Sequence, residues 1–304
     1  MEGWLQALRR KARLLPGPGG ENVPTLPPEV LAEAARRAGR PLREIELQAL
    51  DAGLLPERYL RNLGLFGREG QRRLLERCVA VVGCGGLGGH VIEGLARSGV
   101  GRLIVIDGDR FVPHNLNRQI LGTLDTLGRP KAEVAAERVV RVNPAVEVVV
   151  WTVAATEENL PDLLAGADVV VDALDTPRDR LRLQAAAARL GLPLVHGAIA
   201  GFIGQVTTVF PGDEALSLLY GRERVPDHGA EFFLGTPAPT PALVAAFQVA
   251  EVLKLLLGRG ELLHRRLLYI DLEAGTVETF PLGEAGIGTG SDHPSASSGD
   301  SGRP

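Results

Sequence analysis

Seven residues, Gly83-Cys84-Gly85-Gly86-Leu87-Gly88-Gly89, constrain this chain more than any other stretch. They follow the apolar run Val79–Val82 and open a segment with helical spacing, Leu87–Arg97. A glycine-rich turn between a strand and a helix lets the backbone approach a phosphate closely. The helix N-terminus adds unpaired N–H groups and a partial positive charge. Gly83, Gly85 and Gly88 fit the G-x-G-x-x-G fingerprint, with Gly86 among them. Asp107 ends the next apolar run, Leu103–Ile106, where a carboxylate can accept hydrogen bonds from ribose hydroxyls.

The chain around this loop alternates strand and helix. Val146–Val153, Val169–Ala173 and Leu194–Ala198 read as strands. Lys131–Val142, Asn159–Leu164 and Arg178–Leu190 read as helices. The rhythm predicts an α/β, doubly wound Rossmann-like sheet, parallel in its first half. From Ile203–Phe210 onward strand-like stretches follow without the same alternation, so the second half is expected to be mixed or antiparallel. Pro241–Leu257 reads as a long helix with Thr240 as N-cap. Leu267–Ile270 and Thr276–Phe280 flank Glu273-Ala274-Gly275 as a hairpin. Residues 1–55 read as a helical N-terminal extension: a short basic amphipathic helix, a Pro/Gly linker over Pro16–Pro28, then helices over Glu29–Ala38 and Leu42–Ala52. Residues 56–282 form the main domain. The Gly/Ser/Ala/Pro-rich tail, 283–304, is expected to be disordered.

Composition removes several classes. The formal net charge is −4, which argues against a dedicated nucleic-acid binder. Cys78 and Cys84 are the only cysteines, which excludes a disulfide framework and a four-cysteine zinc site. A reducing cytoplasm fits that usage. The basic N-terminus lacks a following apolar core, so no signal peptide is expected. Leu190–Gly212 lacks Asp, Glu, Lys and Arg, but its Gly/Pro interruptions read as two buried strands, not a membrane span.

The glycine loop and Asp107 alone suit a dinucleotide. The residues that follow favour a triphosphate. Asn115-Leu116-Asn117-Arg118-Gln119 and Gly128-Arg129-Pro130-Lys131 concentrate cations and amides after the second strand. Departure of pyrophosphate builds negative charge that fixed cations stabilise. Arg118 can fork onto two phosphate oxygens, and Lys131 can act as a point charge. Asp172-Ala173-Leu174-Asp175 ends a central strand at the ligand-binding edge of the sheet. Asp175, on the loop side, is the Mg²⁺ candidate, and Asp172 reads as buried.

These motifs resemble the ThiF/MoeB/HesA group of ubiquitin-activating-enzyme-like adenylyltransferases. Arg58-Tyr59-Leu60-Arg61-Asn62, Asp107-Gly108-Asp109 and Gln248-Val249-Ala250-Glu251-Val252-Leu253-Lys254 add to the resemblance. It spans about Arg58 to Leu257. It implies that Asp107 binds the ATP ribose, and that Asn115, Arg118 and Lys131 hold the phosphates. Asp175 would bind Mg²⁺, and Arg61 would reach the nucleotide of the partner in a homodimer. The implied reaction adenylates the C-terminal glycine carboxylate of a small ubiquitin-like sulfur carrier, ThiS- or MoaD-like, with ATP and Mg²⁺. Positioning and charge stabilisation suffice for that step.

The sequence also departs from the family pattern. The two CxxC pairs of zinc-binding members are missing, so no zinc is expected. No cysteine lies between Gly212 and Gly235, so the reaction is expected to stop at the acyl-adenylate or to use a separate sulfur donor. Thr176 stands where the family has Asn, and Arg180 keeps the usual offset. Cys84 reads as a small space-filler, and Cys78 as a residue of a helix–strand junction. His196 reads as a satisfied core histidine, and Glu251 and Lys254 as an intrahelical ion pair. Asp227, His228 and Glu231 read as a solvated loop that can cover the carrier's tail. Asp109 either assists the metal or caps its loop. The runner-up activity is that of a tRNA threonylcarbamoyladenosine dehydratase relative. An NAD(P)-dependent oxidoreductase and a non-catalytic scaffold stand behind it.

Overall fold

The computed structural model describes residues 2–221, 225, 226 and 228–283. The chain opens with α1 (Glu2–Lys11), β1 (Arg13–Pro16), β2 (Asn22–Leu26), α2 (Pro28–Ala38), α3 (Leu42–Asp51) and β3 (Leu55–Pro56). A 3₁₀ turn, Glu57–Asn62, leads into α4 (Leu63–Glu76). Alternation then begins with β4 (Cys78–Val82), α5 (Gly86–Ser98), β5 (Arg102–Ile106), α6 (Lys131–Val142), β6 (Glu147–Trp151) and α7 (Leu160–Leu163). It continues with β7 (Val169–Asp172), α8 (Pro177–Arg189), β8 (Leu194–Ala200) and β9 (Ile203–Val209). The chain ends with α9 (Ala215–Tyr220), α10 (Glu231–Leu234), α11 (Pro239–Leu257), β10 (Arg266–Asp271) and β11 (Thr276–Pro281).

One eight-stranded sheet runs β11-β10-β9-β8-β7-β4-β5-β6. The five strands from β6 to β8 are parallel, and β8 to β11 pair antiparallel. The expected parallel-then-antiparallel division is therefore present. β4 is buried along its whole length because it is central and covered on both faces. Val79 and Val81 join α5, α6 and α11 in one core layer, while Ala80 and Val82 join α7 and α8 in the other. Strand order reverses around β4, so the C-terminal ends of β4, β5 and β7 surround a crevice, which is where open α/β sheets bind ligands.

Helix α11 is long and apolar enough to cross a membrane on composition, but here it packs on α5, β8 and β9. Its start differs from the sequence expectation. The helix begins at Pro239, one residue before Thr240, whose buried hydroxyl instead donates to the Gly201 carbonyl at 2.7 Å. A long-range bond to the β8–β9 turn has displaced the local cap.

The expected linker is also corrected. Within Pro16–Pro28, β2 pairs antiparallel with β1 and parallel with β3. Val23 and Leu26 are buried and stitch the hairpin into two clusters with Leu31, Ile45, Leu55 and Tyr59. The prolines hid an apolar alternation whose partners lie elsewhere in the chain. Residues 284–304, most of the expected disordered tail, lie outside the described residues.

Candidate active site

The glycine loop leaves β4 at Gly83, where φ is +98°, a backbone state costly for L side chains. A Cβ there would stand 2.4 Å from the Ala173 carbonyl oxygen, and one on Gly88 would stand 1.8 Å from that of Gly83. These glycines pack the turn against β7 and itself. Gly85 and Gly86 then open onto a cavity of about 620 Å³ at the start of α5. Cys84 faces away, fully buried. Burial pushes its thiol well above the ordinary range, which supports an inert space-filler.

Asp107 ends β5 at the cavity wall. Its carboxylate accepts from the Cys84 N–H at 2.7 Å and from the Asp109 N–H at 2.8 Å. Burial raises its pKa, and Lys131 opposes that rise. Lys131 begins α6 and points its ammonium at Asp109, 2.9 Å away. The Asp109 carboxylate thus holds a lysine, while the backbone of its loop is capped by Asp107. Arg118 also lines the cavity. It donates to the His114 carbonyl and the Asn117 amide oxygen, both at 3.0 Å. Burial depresses its pKa, and the nearby Asp175 charge opposes that. Gln119 is buried beside Gly85 with its amide oxygen unpartnered, so it has an acceptor to offer at the cavity.

Asp175 is exposed on the loop after β7, and Asp172, three residues earlier, is buried. That separates the two carboxylates as expected. Asn115 and Arg61 do not join the cavity wall. Asn115 is buried and accepts from the Val112 N–H at 3.1 Å, so it shapes the loop that carries Arg118. Gly88 packs behind the loop. Arg61 is exposed on the 3₁₀ turn. Thr176 caps α8, accepting from the Asp179 N–H at 3.2 Å. His228, stacked on Phe232, and Glu231 stand at the cavity, whereas Asp227 lies outside the described residues. Glu251 does more than pair with Lys254. It is buried and also accepts from Thr208 at 2.6 Å and from the Leu263 N–H at 2.8 Å.

His196 is satisfied in the core, bonded to Asp172 at 2.7 Å and to the Tyr220 hydroxyl at 3.1 Å, and burial lowers its pKa. Sequence reasoning missed Tyr220 altogether. Its signal is non-local, because α9 meets α8 only in the folded chain.

Among the described residues no group of three or more His, Cys, Asp or Glu converges on one point. Asp175 is a hard oxygen donor beside a polyphosphate-sized cavity. A magnesium ion held by one carboxylate, phosphate oxygens and water fits that donor set.

A doubly wound sheet with a glycine loop, a carboxylate and two cations lining one cavity at its switch point has the features of a nucleotide-binding enzyme. A model described as the ThiF family matches residues 59–286, and the chain belongs to that family. It is 42% identical over 239 residues to the SAMP-activating enzyme E1 of Haloferax volcanii, covering 77% of this chain and 87% of that one. It is 41% identical over 228 residues to the sulfur carrier protein adenylyltransferase of Thermus thermophilus, covering 72% and 84%. Among solved structures, E. coli MccB with MccA-N7isoASN matches with a TM-score of 0.65 at 25% identity, covering 75% of this chain and 72% of that one. The chain is an adenylyltransferase with an ATP-dependent adenylating role.

Proposed function

We propose that this chain adenylates the C-terminal glycine carboxylate of a small ubiquitin-like sulfur carrier, with ATP and Mg²⁺ as co-substrate and metal. The observation that carries the reading is the cavity that joins Arg118, Lys131, Asp107 and Asp175 at the ends of three parallel strands. Gly85 and Gly86 offer backbone N–H groups to the phosphates, and Asp107 accepts from the ribose. The carrier carboxylate attacks the α-phosphorus, the bond to the β-phosphate oxygen breaks, and pyrophosphate leaves. Arg118 and Lys131 stabilise the charge that grows on the leaving oxygens. Asp175 would hold Mg²⁺, which supplies further neutralisation of phosphate charge.

A smaller cavity of about 370 Å³ adjoins the first through Arg180, Ile199 and Glu231. Its Ala198, Ala200, Gly229 and Ala230 walls suit a slender chain end. Both cysteines are buried, which supports release of an acyl-adenylate to a separate sulfur donor and a reducing, cytoplasmic setting. The exposure of Arg61 suits a role across a homodimer interface.

The test is ATP–pyrophosphate exchange with Mg²⁺ and a panel of carriers ending in Gly-Gly. Exchange supported by one carrier, and lost in Arg118→Ala and Asp175→Ala, is expected. ATP binding without carrier-dependent exchange would sink the reading and move the search to modified tRNA.

A further inference from the structure

Leu174, the residue before Asp175, is gripped at both ends of its backbone. Its N–H donates to Asp172 Oδ1 at 3.0 Å, and its carbonyl accepts from Arg180 Nη2 at 2.8 Å. The two gripping side chains are joined to each other. Asp172 Oδ2 lies 2.7 Å from His196 Nδ1, and His196 Nε2 lies 3.1 Å from the Tyr220 hydroxyl. That hydroxyl accepts from Arg180 Nη1 at 2.6 Å.

One proton assignment satisfies the whole circuit. Arg180 donates to the Tyr220 oxygen, Tyr220 donates to His196 Nε2, and His196 donates from Nδ1 to Asp172. The charges stand at opposite ends, on Arg180 and Asp172, both buried. Two neutral groups separate them. Desolvating both charges offsets much of what their attraction contributes, so we read the arrangement for the geometry it holds. The geometry it holds is the Leu174 peptide.

We propose that Tyr220 and His196 are positioning residues of the adenylation site, closing a hydrogen-bonded ring that fixes the loop bearing Asp175. The role rests on the reading of Asp175 as the magnesium ligand. Tyr220 also ends α9, just before the segment that brings His228, Glu231 and Phe232 to the cavity. The ring therefore ties that segment's root to the Asp175 loop.

Two measurements on the full chain test this. The first is the calorimetric affinity for ATP with and without Mg²⁺. Wild type gains affinity with Mg²⁺, and Asp175→Asn loses the gain. Tyr220→Phe, acting through Arg180 and the Leu174 carbonyl, is expected to lose up to roughly tenfold of it, the lower end of what a direct partner of a metal ligand contributes, while Mg²⁺-free affinity holds. A wild-type gain kept in full by Tyr220→Phe would overturn the positioning role alone. A wild type with no gain would remove the reading of Asp175, and the role with it. The second needs no variant. The ¹⁵N shifts of the His196 imidazole are expected to show the proton on Nδ1 and an accepting Nε2. A proton on Nε2 would break the ring as assigned.

Discussion

The Lys131 ammonium donates to the Asp109 carboxylate at 2.9 Å, although the lysine side chain is 8% exposed and the aspartate 75%. The lysine is thus fixed in the wall while its partner remains free to turn toward solvent. On the proposed role of Lys131, an arriving phosphate would replace the aspartate without moving the lysine. Lys131→Ala is expected to lower kcat/KM for ATP in pyrophosphate exchange by about 100-fold or more. Asp109→Asn removes only an exposed partner and is expected to cost less than roughly tenfold. Equal losses in the two variants would assign Asp109 to the chemistry.

Glu46 gives a pH signature that has nothing to do with catalysis. It is buried beneath Arg58 and Tyr59, and burial raises its pKa to about 7 from 4.5. Between those values the folded state binds more protons than the unfolded one, so stability falls as pH rises from about 4.5 to 7 and is level above. The loss is on the order of 3 kcal/mol. Glu46→Gln is expected to flatten the slope and to stabilise the protein at pH 8. Denaturant unfolding across this range checks it, and an unchanged slope in the variant would clear Glu46.

Cys84 sits at the start of a helix, where a thiol can become reactive, yet it is fully buried and its pKa lies far above neutral. Cys84→Ala is expected to retain exchange activity within about twofold, with a stability cost of about 1 kcal/mol. Iodoacetamide is expected to label it only after unfolding, read by mass spectrometry. Rapid labelling of the native protein would reopen a thiol-dependent step.

Gly88→Ala is expected to abolish ATP binding, since its Cβ would lie 1.8 Å from the Gly83 carbonyl oxygen and force the loop apart. Gly86→Ala meets nothing closer than 3.5 Å and is expected to fold normally. Comparing their ATP titrations and melting temperatures separates packing from ligand contact.

The features legible in the sequence are those set by local pattern. The α6 boundaries, Lys131–Val142, follow from apolar spacing and the flanking prolines. The different fates of Asp172 and Asp175 follow from their positions along one strand end. The features hidden from it depend on partners far along the chain. The β1–β2 hairpin needs clusters built with Ile45 and Tyr59, and Thr240 answers to Gly201. Asn115 braces its own loop, and Arg61, expected to act across a homodimer interface, is exposed on this chain's surface. Residue type alone suggested a chemistry at Asn115, and the bond from the Val112 N–H to its amide oxygen could be read only from the folded loop.

The change from parallel to antiparallel pairing at β8 has an evolutionary consequence. Every strand on the nucleotide side is reached by a crossover, so altering one disturbs the register of its neighbours. β11 lies at the far edge of the sheet and pairs with β10 across the short β10–β11 turn. That hairpin can lengthen, shorten or change its exposed face without touching Gly83 or the Asp175 loop. A lineage built on this plan can exchange the molecules it serves while the machinery for ATP stays as it was.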